Sequence, residues 1–127
     1  MPDPDERLVD PALLRKLHGL QTEDGTEIAI ALIDMFAEAT QLAIRQIGDG
    51  LAAGPTGLRE ARRLAHSLKG SAGMLGAQAM GELARAMESH AADGEVDLIP
   101  PLLARLAAIA DATIARLREE QAKLASQ

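Results

Sequence analysis

The sequence predicts an all-α protein: an antiparallel up-down four-helix bundle with a short additional N-terminal helix. Three observations carry that reading. The apolar residues are mainly Leu, Ala, Ile and Met, with Phe36 the single aromatic, a choice that favours helices over strands. Apolar positions recur at spacings of three and four through four long segments. Short breaks rich in Gly, Pro and Asp separate those segments, and helices joined by short loops pack as antiparallel neighbours. A chain of 127 residues with 47% apolar and 25% charged residues makes one domain with a real core. Residues 10–127 are expected to form it, after a flexible N-terminal segment over residues 1–9.

Asp10-Pro11 opens the first helix, an N-cap residue followed by proline at the first helical position, and Leu13, Leu14 and Leu17 give it one apolar face before Gly19 ends it. Gln21 to Gly25 reads as a polar loop, and Thr26 is expected to cap the next helix. From Ile28 the apolar positions run through Leu32, Met35, Phe36, Ala39, Leu42, Ala43 and Ile47, until Gly48, Gly50, Gly54 and Pro55 break the pattern. Leu58, Ala61, Ala65, Leu68, Ala72 and Leu75 define the third helix, which Gly76 should end. Met80, Leu83, Ala84, Met87 and Ala91 define the fourth, which stops at Asp93-Gly94. Asp97 is expected to cap the last helix, with Pro100 and Pro101 near its start and Leu102, Leu106, Ile109, Thr113 and Leu117 on its buried side. The tail beyond Arg118 is expected to fray.

Composition excludes several functions. With no cysteine there are neither disulfides nor thiolate metal sites, and no Glu-x-x-His pair suggests a di-iron centre, so no metal site and no cofactor of its own are expected. A net charge of −6 and the lack of aromatics for base stacking argue against nucleic acid. The N-terminus is acidic and proline-rich, and no uninterrupted apolar run approaches the ~20 residues of a membrane span, so a cytoplasmic protein is expected. Neither a Ser-His-Asp arrangement nor a glycine-rich phosphate loop is present, which leaves no apparatus for independent ATP chemistry.

The informative segment surrounds His66. At about 100° per residue the apolar positions of that helix cluster on one side, and His66 falls well away from it, towards solvent. Arg62, Gly70 and Gly73 share its face at i−4, i+4 and i+7. Each interior glycine costs roughly 1 kcal/mol relative to alanine, so two on one exposed strip imply a use for bare backbone: access to the imidazole for another protein's reacting atom. Lys69, Arg62 and Arg59 add positive charge able to offset a phosphoryl group or meet an acidic pocket, and Ser67 and Ser71 offer hydroxyls nearby. On the plainer reading Arg59, Arg62 and Arg63 are solvated surface charges. An imidazole with a pKa of about 6.5 is mostly neutral at neutral pH and has a nitrogen lone pair free to attack phosphorus. His18 and His90 lack such a setting and are read as favourable charges at helix C-termini. Met80 and Met87 are read as core, as is Met74 on the simpler view.

The run Ala65-His66-Ser67-Leu68-Lys69-Gly70-Ser71-Ala72-Gly73-Met74-Leu75-Gly76-Ala77 resembles the signature of histidine-containing phosphotransfer (HPt) domains, and the likeness extends through Leu83, Met87 and Glu88 and more loosely to the helix around Phe36. It implies the same bundle, with His66 phosphorylated and Lys69 and Gly70 supporting the phosphoryl group and its approach. Ser71 stands where the family has a small residue, and Gly73 where alanine or serine is usual. The low aromatic content leaves the partner-facing apolar patch less defined than in other members. The resemblance further implies a monomeric carrier in a two-component phosphorelay, accepting the group from one receiver-domain aspartate and passing it to another. Its partners would be response-regulator receivers and a hybrid histidine kinase, with Mg²⁺ in the receiver. Arg59, Arg62, Arg63, Ser67, Ser71 and Gly73 are the candidate partner contacts. Two other readings compete. A histidine-kinase dimerisation region would carry an acidic residue directly after the histidine, where this sequence has Ser67. A non-phosphorylated adaptor would use the same exposed strip.

Overall fold

The computed structural model describes residues 7–19 and 23–126. Among the described residues from Pro11 on, the α-helices are α1 Pro11–Gly19, α2 Glu23–Gly50, α3 Pro55–Met74, α4 Gln78–Ala92 and α5 Ile99–Ala125, with 3₁₀ turns at Leu51–Ala53 and Val96–Leu98. No strand occurs among the described residues. The four long helices form a ring in which α2 packs on α3 and α5, and α4 packs on α3 and α5. Its core is built from Ile33, Ile47, Leu68, Met80, Met87, Ile99, Leu106 and Leu117, all essentially removed from water.

The short breaks act as the sequence suggests. The Asp10 carboxylate accepts the Ala12 N–H at 2.9 Å, which caps α1. α3 stops at Met74, two residues before the expected Gly76, because Gly76 itself takes the left-handed conformation (φ 62°) that closes the helix while Ala77 N–H reaches back to Ala72 O at 2.9 Å. The α2–α3 corner is tight: a Cβ at Gly57 would lie 1.7 Å from the Gly50 carbonyl oxygen.

Four expectations about where segments begin and end need correction. Of the N-terminal segment 1–9, residues 1–6 lie outside the described residues, while Val9 is 1% exposed and belongs to the core. Of the expected loop from Gln21 to Gly25, residues 21 and 22 lie outside the described residues, and α2, from Glu23, already contains Gly25 and Thr26, so Thr26 is an internal helical residue and not a cap. Asp97 sits inside a 3₁₀ turn, and α5 begins at Ile99 without a side-chain cap, its prolines filling first-turn positions that need no N–H partner. The tail beyond Arg118 does not fray: α5 continues to Ala125 and buries Glu120 and Leu124.

The carboxylate of Glu120 is tolerated there because His18 of α1, Arg116 (2.6 Å) and Lys123 (3.3 Å) surround it. These hydrogen bonds overcome the cost of burial and hold its pKa at about 2. Glu120 therefore pins α1 to the far end of α5. By length and composition Val96–Ala125 would also suit a membrane span, but within the bundle it supplies one wall of the core.

The largest departure concerns which face of α2 is buried. Ala29, Ile33, Phe36, Ala37, Thr40, Ala43 and Ile47 form the core face. Ile28, Leu32, Met35 and Leu42, expected to line the core, are 57%, 51%, 65% and 47% exposed. They occupy the flank of α2 next to α3, since Ile30 and Asp34 on the other flank bond Gln121 of α5 at 3.0 and 2.9 Å.

Candidate functional site

α3 owes the site to an apolar arc that fills only part of its circumference. Gly57, Ala61, Leu64, Ala65, Leu68 and Ala72 are buried against the other helices. His66 lies on the open arc, with 70% of its side chain exposed. A Cβ at Gly70 or Gly73 would meet nothing within 4 Å, so these glycines make no room inside the bundle and leave the ground beside the imidazole flat.

Glu88 reaches the ring from α4. Its Oε2 lies 2.7 Å from His66 Nδ1, and its Oε1 accepts a hydrogen bond from Lys69 Nζ at 3.1 Å. The Lys69 bond, followed by that of His66, outweighs partial desolvation and holds the Glu88 carboxyl below the usual carboxylate range. An ionised carboxylate only accepts, so the Nδ1 of a neutral ring must carry the proton and donate it. Nε2 is then the nitrogen with the free lone pair. One carboxylate thereby sets the tautomer and orientation of the imidazole and places an ammonium beside it.

The structure brings His66, Lys69 and Glu88 together and leaves the remaining candidates along the surface of α3. Arg59 and Arg62 are exposed. Arg63 is committed to its own helix, donating from Nε to Glu60 at 3.0 Å and pairing with it again through its terminal nitrogen. Ser71 is half-buried and its hydroxyl donates to the Ser67 carbonyl at 3.2 Å, while Ser67 is exposed. On the α4 side Lys69, Gly73, Gly76, Gly81 and Arg85 border an open cleft of about 640 Å³.

Two parts of this surface escaped the sequence argument about chemistry. Glu88 is 22 residues from His66 on another helix, and no periodicity links them. The exposed stripe of α2 was hidden in an apolar arc wide enough to supply two faces. Met74 is 83% exposed at the end of α3 and belongs with that stripe rather than with the core. It lies on the α2 flank of α3, and counting back from Gly50 the residues that separate Gly57 from Met74 reaches Ile33, between Leu32 and Met35. An apolar surface therefore continues from α2 across the exposed face of α3, past Gly70, to His66.

The Hpt domain family model matches residues 31–120. The crystal structure of histidine-containing phosphotransfer protein B (HptB) from Pseudomonas aeruginosa PAO1 has the same fold, with a TM-score of 0.78 at 22% sequence identity over 91% of this chain and 95% of that one. No curated protein sequence matches the chain. The matched span includes His66, Lys69 and Glu88 and most of all four long helices, and the chain belongs to the Hpt domain family.

Proposed function

We propose that this protein carries a phosphoryl group on His66 Nε2, accepting it from the aspartate of one receiver domain and passing it to the aspartate of another. The observation that carries the proposal is the Glu88 bridge, which leaves Nε2 of an exposed imidazole as the nucleophile with Lys69 at its side. In the forward step the Nε2 lone pair attacks phosphorus, and the phosphorus–oxygen bond of the acyl phosphate breaks with its electron pair returning to the carboxylate. The ring gains positive charge while Nδ1–H stays bonded to Glu88, which stabilises the developing imidazolium. Lys69 has further N–H groups for the phosphoryl oxygens. Transfer to the next receiver reverses these steps.

Docking brings the two reacting atoms together. The apolar surface formed by Ile28, Leu32, Met35, Leu42 and Met74 suits a complementary apolar face on the receiver, and Arg59 and Arg62 suit its acidic groups. Arg63, Ser67 and Ser71 line the ground between, and Gly73 borders the cleft on the α4 side. The protein acts as a cytoplasmic monomer beside a hybrid histidine kinase, uses no ATP itself, and relies on Mg²⁺ held by the receiver. Phosphotransfer profiling against a panel of receivers tests the reading. Wild type should take up an acid-labile label that His66→Gln does not. Equal labelling of the variant, or an acid-stable label, would move the chemistry to a serine.

A further inference from the structure

The described methionines divide sharply. Met80 and Met87 are fully buried, whereas Met35 and Met74 are 65% and 83% exposed, the two most exposed large apolar side chains in the described chain. Both exposed thioethers lie on the apolar surface beside His66, at adjacent levels of α2 and α3, and the single aromatic ring of the chain, Phe36, is buried in the core. Resting on the docking surface proposed above, we propose that Met35 and Met74 form an oxidation-sensitive patch, and that their conversion to sulfoxides by a peroxide weakens receiver docking and so slows the relay.

The step is a two-electron oxidation. A thioether sulfur attacks one oxygen of hydrogen peroxide, the oxygen–oxygen bond breaks with its electron pair on the other oxygen, that hydroxide takes the proton from the sulfur-bound oxygen, and a sulfoxide and water result. A thiol-dependent sulfoxide reductase returns the thioether. The sulfoxide oxygen is a strong hydrogen-bond acceptor placed where docking removes water, so the modified patch loses part of its apolar contact and gains a desolvation cost. Ile28, Leu32 and Leu42 are inert to peroxide, so docking weakens instead of vanishing. His66, Lys69 and Glu88 are unchanged, so the chemical step keeps its rate.

The test treats the whole protein with hydrogen peroxide, removes the oxidant, and then adds an untreated phosphorylated receiver. Peptide mass mapping should show oxygen on Met35 and Met74 before Met80 or Met87. Against its own untreated sample, the oxidised wild type should show a KM for receiver raised roughly tenfold with kcat little changed. The M35L/M74L double variant, whatever its starting rate, should keep that rate through the same treatment, and sulfoxide reductase should restore the wild type. Unchanged KM after complete oxidation of both residues, or equal loss in M35L/M74L, overturns the proposal. So does oxidation of Met80 and Met87 at the same pace, which would mean that the bundle opens. Leu32→Asp separates this from the docking reading: normal transfer by that variant sinks the docking surface itself, while slow transfer by it beside an unaffected oxidised wild type sinks only the oxidation switch.

Discussion

Among the described residues two histidine–glutamate pairs join helices, and their settings differ. His66 meets Glu88 between α3 and α4; His18 meets Glu120 between α1 and α5. The side chains of the first pair are 70% and 23% exposed, those of the second 29% and 3%. Glu88 divides its two oxygens between one imidazole and one ammonium, leaving His66 Nε2 open to solvent. Glu120 is saturated by His18, Arg116 and Lys123 and holds a helix in place. An imidazole paired with a carboxylate is thus no mark of chemistry in itself. The mark is a second ring nitrogen that can be reached, next to a cation with hydrogen bonds to spare.

Substitutions can break that contrast. His66→Gln should abolish phosphoryl uptake, whereas His18→Gln should leave uptake intact and lower the melting temperature; an autoradiogram and a thermal melt decide both. Next in size is Gly70→Leu, for which transfer should fall about 100-fold because the receiver's reacting atom is displaced from the ring. The bundle should meanwhile be as stable as wild type or better, leucine being the better helix former by somewhat under 1 kcal/mol and its Cβ meeting no neighbour. An unfolded Gly70→Leu protein would mean that the glycine packs inside.

Glu88→Ala should slow transfer roughly tenfold by freeing the ring tautomer and loosening Lys69. Ring-nitrogen NMR would report the cause, with wild-type His66 carrying its neutral-state proton on Nδ1 and the variant mixing the two tautomers. A slowed variant with an unchanged tautomer would leave Glu88 with a role through Lys69 alone. Glu120→Ala should change transfer least, by less than about twofold, yet destabilise the fold by about 2 kcal/mol through uncompensated cations and a lost tether for α1.

Its acid profile sharpens the point. The folded pKa of Glu120 is depressed to about 2 from 4.5, so its contribution to stability is present above pH 4.5 and is lost as pH falls from 4.5 towards 2. Denaturant titrations of wild type should lose stability across that window, and those of Glu120→Ala should lose measurably less.

The two pairs also show how far the sequence could be read. The run from Ala65 to Ala77 announces both its helix and its exposed histidine, since periodicity places the core side and every informative residue lies within three turns. Glu88 and Glu120 act across helices, where spacing along the chain carries no distance. Glu120 falls in the stretch beyond Arg118 that the sequence marks for fraying; only the meeting of His18, Arg116 and Lys123 around one oxygen pair explains why that turn is buried. On α2, Ile28, Leu32, Met35 and Leu42 satisfy a helical period as well as Ile33, Phe36 and Ile47 do. Hydrophobicity alone does not say which of two apolar arcs has a neighbour within its own chain.

The corner at Gly50 and Gly57 gives those two arcs a common datum. Since a single added methyl group at Gly57 would run into the carbonyl of Gly50, the helices meet there backbone to backbone, with almost no tolerance in depth or pitch. Everything measured outward from that corner inherits the same tolerance: nine residues, or about 13 Å, up α3 to His66, and eight residues, or about 12 Å, down α2 to Leu42. If the proposed function holds, the molecule is in effect a gauge block, fixing the spacing between where a partner would be gripped and where its phosphorus would be taken, and Gly57→Ala should detune that spacing without touching either.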